Sequence, residues 1–519
     1  MNKYEWLHDA VIYQVYPQSF FDTNGDGIGD LNGVEEKLPY IKDLGVNAIW
    51  LNPFFESPFL DAGYDITDYY KIAPRYGTND DFINLCKSAH ALGIKVLCDI
   101  VPGHTSIDHP WFKMSAKAER NEFTDRYIWT NSRDKTYFRM NTRDYERDGQ
   151  YRCNYYAIQP SLNYGYAHPT RPWQMKPDDT ACIETRDMIV NVMNFWLDLG
   201  CDGFRADMAS CLVKSDYDCA ETIKTWRYIR EKLNETHPEC VLISEWGEPD
   251  RAISAGFDID LSVEGWHAYY ASLFRYEAGG ITRSGHSYFR REGKGCICDF
   301  TDGYLPLYDK VKGRGYISIP TGSHDNHRIS EGRDEELLKV IYSFIFTMPG
   351  VPVLYYGDEI GMKYIPGLEK EGSKDRGGSR TPMQWKAPQN AKNCGFSSSD
   401  EPYLPTDPSA DAPSVEAQLN DPDSLLNFTR EMITLRLSHP ALCSDGDFSL
   451  LATGYTYPLG YERRAENEMI HVLVNPADEP QEWFDAFGTA DAVLAAQNAS
   501  IKENTVFLDS CSFIIYTVK

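Results

Sequence analysis

Two opposite charges stand two residues apart in a short apolar run, residues 203–209. In a β-strand that spacing places Arg205 and Asp207 on one face. Desolvating a charge costs several kcal/mol, so a buried strand carries such a pair only where the charges are paired or used. Taken alone, these two residues fit a structural salt bridge about as well as a catalytic pair.

Two later apolar runs also end in carboxylates. Residues 241–246 contain Glu245, and residues 316–320 lead into His324 and Asp325. Parallel β/α barrels place their catalytic groups at the C-terminal ends of the strands. The pattern therefore predicts that three acids, Asp207, Glu245 and Asp325, meet at one end of a barrel.

Strand-like and helix-like patterns alternate along most of the chain. Strands are predicted at 10–16, 48–52, 95–101 and 351–356, before the three acids, and near 257–263. Eight such units predict an α/β fold, a (β/α)8 TIM barrel. An aromatic, charged and turn-rich stretch interrupts them, and short alternating runs follow residue 440. We predict a barrel at 1–104 and 182–440, an inserted domain B at 105–181, and a C-terminal antiparallel β-sandwich at 441–519.

The three acids and their surroundings resemble the α-amylase family, glycoside hydrolase family 13, over nearly the whole chain. The resemblance implies a retaining mechanism, which uses one carboxylate as nucleophile and another as acid and base. By position, Asp207 is the expected nucleophile, Glu245 the general acid, and Asp325 a ligand of the distorted sugar ring. Arg205 is expected to orient Asp207.

The same resemblance implies residues that bind the sugar. Tyr64 is expected to stack on the sugar and His104 to hydrogen-bond a hydroxyl. Asp61 and Arg380 are expected to grip the terminal glucose together, as in α-glucosidases, oligo-1,6-glucosidases and trehalose synthases. The complete expected substrate-binding set is Asp61, Tyr64, His104, Arg205, His324, Arg328 and Arg380. A surface salt bridge is the alternative interpretation of Asp61 and Arg380.

Oxygen-bearing residues occupy alternate positions between Asp22 and Asp30, with glycines that allow a sharp turn. This pattern suits calcium, although a polar turn without metal is the alternative. Related oligo-1,6-glucosidases bind calcium at the same loop, so we expect a structural calcium. The expected ligands are Asp22, Asn24, Asp26, the carbonyl of Ile28, and Asp30. Gly103 replaces a family asparagine that commonly binds another calcium, so we do not expect that second site. We expect no organic cofactor.

Composition limits the partners. The formal net charge of −26 argues against nucleic acid and anionic membrane surfaces. The sequence shows neither a membrane-spanning run nor the apolar core of a signal peptide. Thirteen cysteines without metal-ligand spacing suggest a reducing cytoplasm. Cys296 and Cys298, one residue apart, are expected not to pair with each other.

Three functions remain open at this point. The first is an exo-acting hydrolase of short α-glucosides, with a small oligosaccharide as substrate. The second is a transglucosidase or isomerase of the trehalose synthase type, which holds the same intermediate away from water. The third is a non-catalytic relative, such as the heavy chains of amino-acid transporters, against which the intact acids argue. The sequence does not fix linkage preference or oligomeric state.

Overall fold

Eight parallel strands form the central sheet of the protein, whose computed structural model describes residues 5–133, 137–262, 268–275, 284–452, 457–486 and 488–519. The strands are β1 Ile12–Val15, β2 Ala48–Leu51, β3 Lys95–Ile100, β4 Gly203–Ala206, β5 Val241–Ser244, β6 Ile259–Leu261, β7 Tyr316–Ser318 and β8 Val353–Tyr355. Their order in the sheet is β7-β6-β5-β4-β3-β2-β1-β8, and a parallel bridge between Pro320 and Val353 joins the two ends. The predicted TIM barrel is therefore confirmed.

Both faces of these strands are buried, as expected for a parallel sheet covered by helices. Alternate residues belong to different apolar clusters: Ile12 and Trp50 lie in one, Tyr13 and Ile49 in the other. The sixth strand falls within the predicted 257–263, of which Val263 lies outside the described residues.

Helices follow most of the strands and pack against the sheet. Thr78 and Asp81 form a capping box that begins the helix after β2, and Gly200, at φ 117°, ends the helix before β4. A side chain at Gly200 would also crowd Cys86 at 3.2 Å. The main barrel helices are Leu31–Glu36, Leu38–Asp43, Asn79–Ala91, Thr180–Leu199, Ala220–Thr236, Pro249–Ser254, Ala268–Phe274, Cys298–Val311, Glu335–Thr347 and Leu425–Ser438. Shorter helices span Glu5–His8, Pro110–Ser115 and Val415–Leu419. No helix in the described ranges is long and apolar enough to cross a membrane.

The long connection after β3 contains little regular structure. Its short strands are Met140–Asn141 and Tyr151–Arg152, which pair with each other. A bridge between His104 and Ser161, with a hydrogen bond from Leu162 N to Gly103 O, ties it to the end of β3. A hairpin of Phe55–Glu56 and Asp68–Ile72 follows β2.

The C-terminal strands are all antiparallel. They are β9 Asp447–Leu450, β10 Leu459–Ala465, β11 Glu468–Asn475, β12 Gln481–Phe484, β13 Ala490–Lys502 and β14 Thr505–Val518. The long strand β14 pairs with β11, β12 and β13. Buried Arg463 of β10 donates to the carbonyls of Thr347, Cys443 and Gly446, which fixes this sheet to the barrel.

Cys296 and Cys298 form a disulfide, so the expectation that they would not pair is wrong. Their Cα atoms lie 5.2 Å apart, inside the usual range for disulfides. The chain turns into the helix Cys298–Val311 at this point, and the turn brings the two side chains to one side. Spacing in sequence does not reveal such a turn.

Candidate active site

Arg205 is the centre of the site and is 2% exposed. Its Nη1 lies 2.8 Å from Asp99 Oδ1 and 3.0 Å from Asp207 Oδ1, and its Nη2 lies 2.9 Å from Glu245 Oε2. These carboxylates come from β3 and from the ends of β4 and β5, which are adjacent in the sheet. The structure thus brings Arg205, Asp207 and Glu245 together as predicted.

Met208 links the two predicted catalytic acids. Its backbone is left-handed, at φ 44° and ψ 44°, a conformation that costs a non-glycine residue about 1–3 kcal/mol. In this conformation its N–H donates to Glu245 Oε2 at 2.8 Å. One oxygen of Glu245 is therefore held by the residue that follows Asp207.

The charges around Arg205 are unequal, with three carboxylates for one guanidinium. Burial, and after it the charge of Glu245, raises the pKa of Asp207 well above its usual range, against the effect of Arg205. Burial also raises the pKa of Asp99 to about 6. A retaining mechanism needs an ionised nucleophile, and Arg205, which opposes the rise in the pKa of Asp207, favours that form.

Asp325 is bound by two arginines. Arg376 Nη1 and Arg380 Nη2 donate to its Oδ1 at 2.7 and 3.0 Å. Burial opposes ionisation of Asp325, but His324 and these arginines outweigh it and lower its pKa. Burial lowers the pKa of His324 to about 3, so its ring is neutral at pH 7. We therefore assign the lowered pKa of Asp325 mainly to Arg376 and Arg380. Asp325 is thus a permanently ionised acceptor.

Tyr64 and His324 form a stacked pair with ring centroids 5.4 Å apart. Tyr64 OH lies 2.6 Å from His324 Nε2 and 3.1 Å from Asp99 Oδ2. Gln14 Nε2 and Asn52 Nδ2 lie 3.0 and 3.1 Å from the other ring nitrogen of His324, Nδ1. Tyr64 lines the pocket, and its stacking on a sugar ring stays a prediction.

Asp61 pairs with Arg376, which occupies the place predicted for Arg380. Its Oδ1 lies 3.3 Å from Arg376 Nη2, and its Oδ2 accepts from Gln159 Nε2 at 2.7 Å. Arg380 instead joins Asp325 and the carbonyl of His324. The predicted direct pair of Asp61 and Arg380 is corrected: Arg376 bridges Asp61 and Asp325, and Arg380 lies behind Asp325.

His104 lines the pocket, but the protein already uses both of its ring nitrogens. Nε2 donates to the carbonyl of Tyr64 at 3.0 Å, and Nδ1 accepts from Asn154 Nδ2 at 3.3 Å. Lys214 Nζ in turn donates to Asn154 Oδ1 at 3.0 Å. The sugar contact predicted for His104 would compete with these bonds. A Cβ at Gly103 would lie only 2.7 Å from Asn154 Nδ2, so the glycine leaves room for this chain of contacts.

Arg328 lies away from the pocket, which corrects its prediction as a substrate ligand. It is 1% exposed, and its Nη1 donates to Tyr356 O at 2.7 Å and Asp358 Oδ1 at 2.9 Å. Asp358 also accepts from Thr321 Oγ1 at 2.8 Å. Arg328 therefore holds the connection after β7 against the end of β8.

Apart from Arg328, most of the predicted site residues line one cavity of about 490 Å³, a size typical of small-molecule sites. Its lining includes the linked charges of Asp61, Arg376 and Asp325, and also Tyr155 and Tyr156 of the long connection after β3. The pocket is also lined by Trp50, Gln159, Met208, Ser210, Cys211, Trp246, Leu261, Ser262, Asn326, Lys374 and Asp375.

Sequence reasoning missed Asp99, Gln159 and Arg376 as members of the site. Asp99 stands near the end of β3, so the rule that identified the other acids could have found it. Arg376 stands four residues before Arg380, in a 3-10 segment, Lys374–Ser379. Gln159 begins the run 159–163, whose resemblance to a motif of oligo-1,6-glucosidases could have identified it.

The loop predicted to bind calcium satisfies its acids internally. Asp22 accepts from the N–H groups of Gly25 and Gly27 at 2.7 and 2.8 Å, and Asp30 accepts from Thr23 and Gly33. Ligands of one calcium lie within about 5 Å of one another, because each bond is about 2.3–2.6 Å. Within the described ranges, the carboxylates of Asp22, Asp26 and Asp30 do not form a cluster with all ligand atoms within 4.8 Å.

Calcium at this loop stays a prediction, and a thermal melt checks it. Calcium at about 100 times its Kd would stabilise the folded protein by about 2.7 kcal/mol. We expect the chelated protein to gain Tm when Ca²⁺ is added, and D26N to abolish the gain. Because Asp26 Oδ1 accepts, among the described residues, only from Ile28 N at 2.8 Å, D26N tests the metal rather than the fold. An unchanged Tm in the unmodified protein would contradict the prediction.

Asp260 accepts hydrogen bonds from the residues on both sides of Glu245. Its Oδ1 accepts from Ser244 Oγ at 2.5 Å, Trp246 N at 3.2 Å and Gly247 N at 3.4 Å. Its Oδ2 is buried and has no hydrogen-bond partner among the residues that the structure describes. Burial raises the pKa of Asp260 to about 8. The side chain is therefore largely protonated at neutral pH.

We expect Asp260→Asn to change the pH dependence of stability. An acid whose pKa is raised by folding stabilises the protein at low pH, and that contribution is lost as the pH rises through about 8. Asparagine keeps the acceptor and cannot ionise. The Tm of the variant minus that of the unmodified protein should therefore increase by ~1–3 °C between pH 6 and pH 9. Asp411→Asn, at an 82% exposed side chain paired with a lysine, is the control and should show no such trend. A pH-independent difference would contradict the assignment.

Comparisons with known proteins agree with this architecture. Among curated relatives, a trehalose synthase of Thermus thermophilus is 33% identical over 91% of this chain, which spans 50% of that protein. The chain thus covers about half the length of that relative. A trehalose synthase/amylase of Mycolicibacterium smegmatis is 32% identical, covering 95% of this chain and 84% of its own. An oligo-1,6-glucosidase of Parageobacillus thermoglucosidasius is 30% identical, covering 91% and 90%.

Solved structures give the same result. The trehalulose synthase of Pseudomonas mesoacidophila superposes with a TM-score of 0.83 at 25% identity, over 99% of both chains. A variant isomaltulose synthase of Erwinia rhapontici in complex with D-glucose also gives 0.83 at 25%, with the same coverage. The family profile described as "Alpha amylase, catalytic domain" matches residues 14–445. Because that match spans most of the chain, the protein belongs to the α-amylase family.

Proposed function

We propose that the protein removes glucose from the non-reducing end of short α-glucosides through a covalent glucosyl–Asp207 intermediate. The observation that carries this proposal is the pocket itself. Its catalytic pair shares one guanidinium, and Arg376 links the carboxylates of Asp61 and Asp325 in its lining. We infer that these charges form the closed end of the pocket, where they would bind the hydroxyls of a terminal sugar through charge-assisted hydrogen bonds. Such an end would leave no path for a longer chain.

In the proposed mechanism, Asp207 attacks the anomeric carbon while Glu245 protonates the leaving oxygen. Glu245 then takes a proton from the incoming acceptor, whose oxygen displaces Asp207. Arg205 holds both carboxylates in place, and Asp325 accepts from ring hydroxyls of the distorted sugar. Two inversions at one carbon give net retention. Retention also requires the two carboxyl groups to stand about 5–5.5 Å apart.

A second candidate, glucosyl transfer within a bound disaccharide, is favoured by the relatives. Trehalose synthases and isomaltulose or trehalulose synthases are similar to this chain over almost all of it. Hydrolysis and isomerisation share the first half-reaction and differ in the acceptor. The acceptor would meet the outer part of the pocket, near Tyr155, Trp246 and Lys374.

The experiment that separates these functions is a proton NMR time course with maltose, isomaltose, sucrose and trehalose. For hydrolysis we expect free glucose from the beginning, first in the α-configuration. Accumulation of an isomeric disaccharide ahead of glucose would instead support intramolecular transfer. A β-configured first product would contradict the retaining mechanism. A rapid fall in the viscosity of a starch solution would contradict exo-action.

A further inference from the structure

A second cluster of chemistry-bearing side chains lies outside the sugar pocket. It joins the helix Glu5–His8 to the chain just before β9, where backbone Ser444 N donates to His8 O at 3.0 Å. A ring nitrogen of His8, a carboxylate oxygen of Asp9 and Cys443 Sγ all lie within 4.8 Å of one another. Among the residues that the structure describes, no other set of three or more such ligands is gathered this closely.

The spacing of these atoms fits a tetrahedral transition metal. His8 Nε2 lies 3.5 Å from Asp9 Oδ1, and Cys443 Sγ lies 3.6 Å from the same oxygen. Zinc bonds of about 2.0–2.3 Å at tetrahedral angles place neighbouring ligands about 3.3–3.6 Å apart. Nitrogen, thiolate and carboxylate are also the ligand types that zinc prefers. Calcium, which prefers oxygen ligands alone, fits this set poorly.

A supporting carboxylate orients the histidine. Asp445 Oδ2 lies 3.0 Å from His8 Nδ1, and its Oδ1 accepts from Tyr316 OH at 2.7 Å. A protonated Nδ1 would leave the lone pair of Nε2 available on the side of Asp9. Carboxylates that hold the second ring nitrogen in this way are the usual partners of metal-bound histidines.

From this geometry we propose that His8, Asp9 and Cys443 bind one Zn²⁺, with Asp445 as the positioning residue of His8. The fourth position is open to water, because His8 and Asp9 are partly exposed. In the structure as described, the Cys443 thiol faces Asp9 Oδ1 and the carbonyl of Arg436. Zinc would replace the thiol proton, which leaves to solvent. The bound ion would fasten the helix Glu5–His8 to the start of the C-terminal sheet.

The test uses the full chain, freed of metal by chelation and titrated with Co²⁺ as a spectroscopic substitute for zinc. We expect one equivalent to produce the charge-transfer absorption of a cobalt–thiolate bond. Cys443→Ser should abolish it, and Cys394→Ser, which removes another buried thiol, should keep it. Asp445→Asn should keep the band and weaken binding about 10–100-fold. Zn²⁺ should also raise the Tm of the unmodified chain and not that of C443S.

His8→Ala provides the independent arm, because the His8 side chain is 40% exposed and its loss leaves the core intact. We expect it to weaken Co²⁺ binding at least 10-fold, whereas His90→Ala, at a similarly exposed histidine, should have no effect. An unchanged band in C443S, or full affinity in H8A, would overturn the site. So would the absence of Co²⁺ binding by the unmodified chain. Sugar turnover should be equal with and without the metal, so a failed zinc site leaves the proposed function untouched.

Discussion

Asp207→Asn is expected to lower turnover of an α-glucoside by at least about 10⁴-fold, because it removes the nucleophile and keeps the shape of the site. Asparagine can still accept from Arg205 Nη1, which lies 3.0 Å from Asp207 Oδ1. The fold should therefore remain. The measurement is kcat for nitrophenyl α-glucoside, alongside the Tm. Asp198→Asn, a charge-matched change at an exposed site, should retain full activity.

Chemical rescue distinguishes a nucleophile from a merely supporting acid. In Asp207→Gly, azide should fit the space of the carboxylate and attack the anomeric carbon of nitrophenyl α-glucoside. One inversion then gives β-glucosyl azide. If Asp207→Asn kept near-normal turnover, or if azide gave the α-product, Asp207 would not be the nucleophile.

Arg376→Ala is expected to lower kcat/KM for terminal α-glucosides by about 10²–10³-fold. The change leaves Asp61 without its arginine and removes one of the two arginines on Asp325. Loss of one partner from a fully buried ion pair costs about 3–5 kcal/mol, and less is expected here because Arg376 and Asp325 are partly exposed. Arg376→Lys should recover only part of the loss, since an ammonium cannot make the paired contacts of a guanidinium. Lys363→Ala, a surface cation paired with Asp411, is the control.

A substrate without its terminal 4-hydroxyl shows whether this charged end grips that group. The unmodified protein should lose activity on the 4-deoxy substrate, whereas Arg376→Ala should lose little more. If the two losses simply multiplied, Arg376 would act elsewhere and the proposed grip would be wrong. An equal fall in Tm and activity would also indicate a structural role.

The barrel and the grouping of the three acids could be predicted because each depends on a local pattern. An apolar run that ends in a carboxylate indicates both a strand and the end of the barrel at which the acid lies. Which arginine pairs with which carboxylate in the site could not be predicted in this way. Arg376 and Arg380 stand four residues apart, and the turn between them decides which reaches Asp61. Arg328 follows Asp325 closely but points to Asp358, a residue without any distinguishing sequence signal.

The disulfide and the proposed zinc site also depend on the folded chain, so sequence spacing could not predict them. Cys296 and Cys298 pair because of a turn that spacing does not reveal. His8 and Cys443 are separated by most of the chain, and only the fold places them side by side. At the calcium loop the sequence shows oxygen atoms at suitable intervals. Their direction depends on backbone N–H groups that compete for the same oxygens.

The bonding of three carboxylates to Arg205 has a consequence for how this protein can change. These groups stand on rigid strands of the sheet and on the residues that follow them, whereas Tyr155 and Lys374 come from connections above the barrel. In the proposed mechanism, bond breaking therefore depends on the strand ends, whereas part of the acceptor region comes from these connections. A substitution in a connection can redirect the sugar to a new acceptor while the reacting atoms keep their positions. Evolution can thus change the product while the catalytic residues keep their positions.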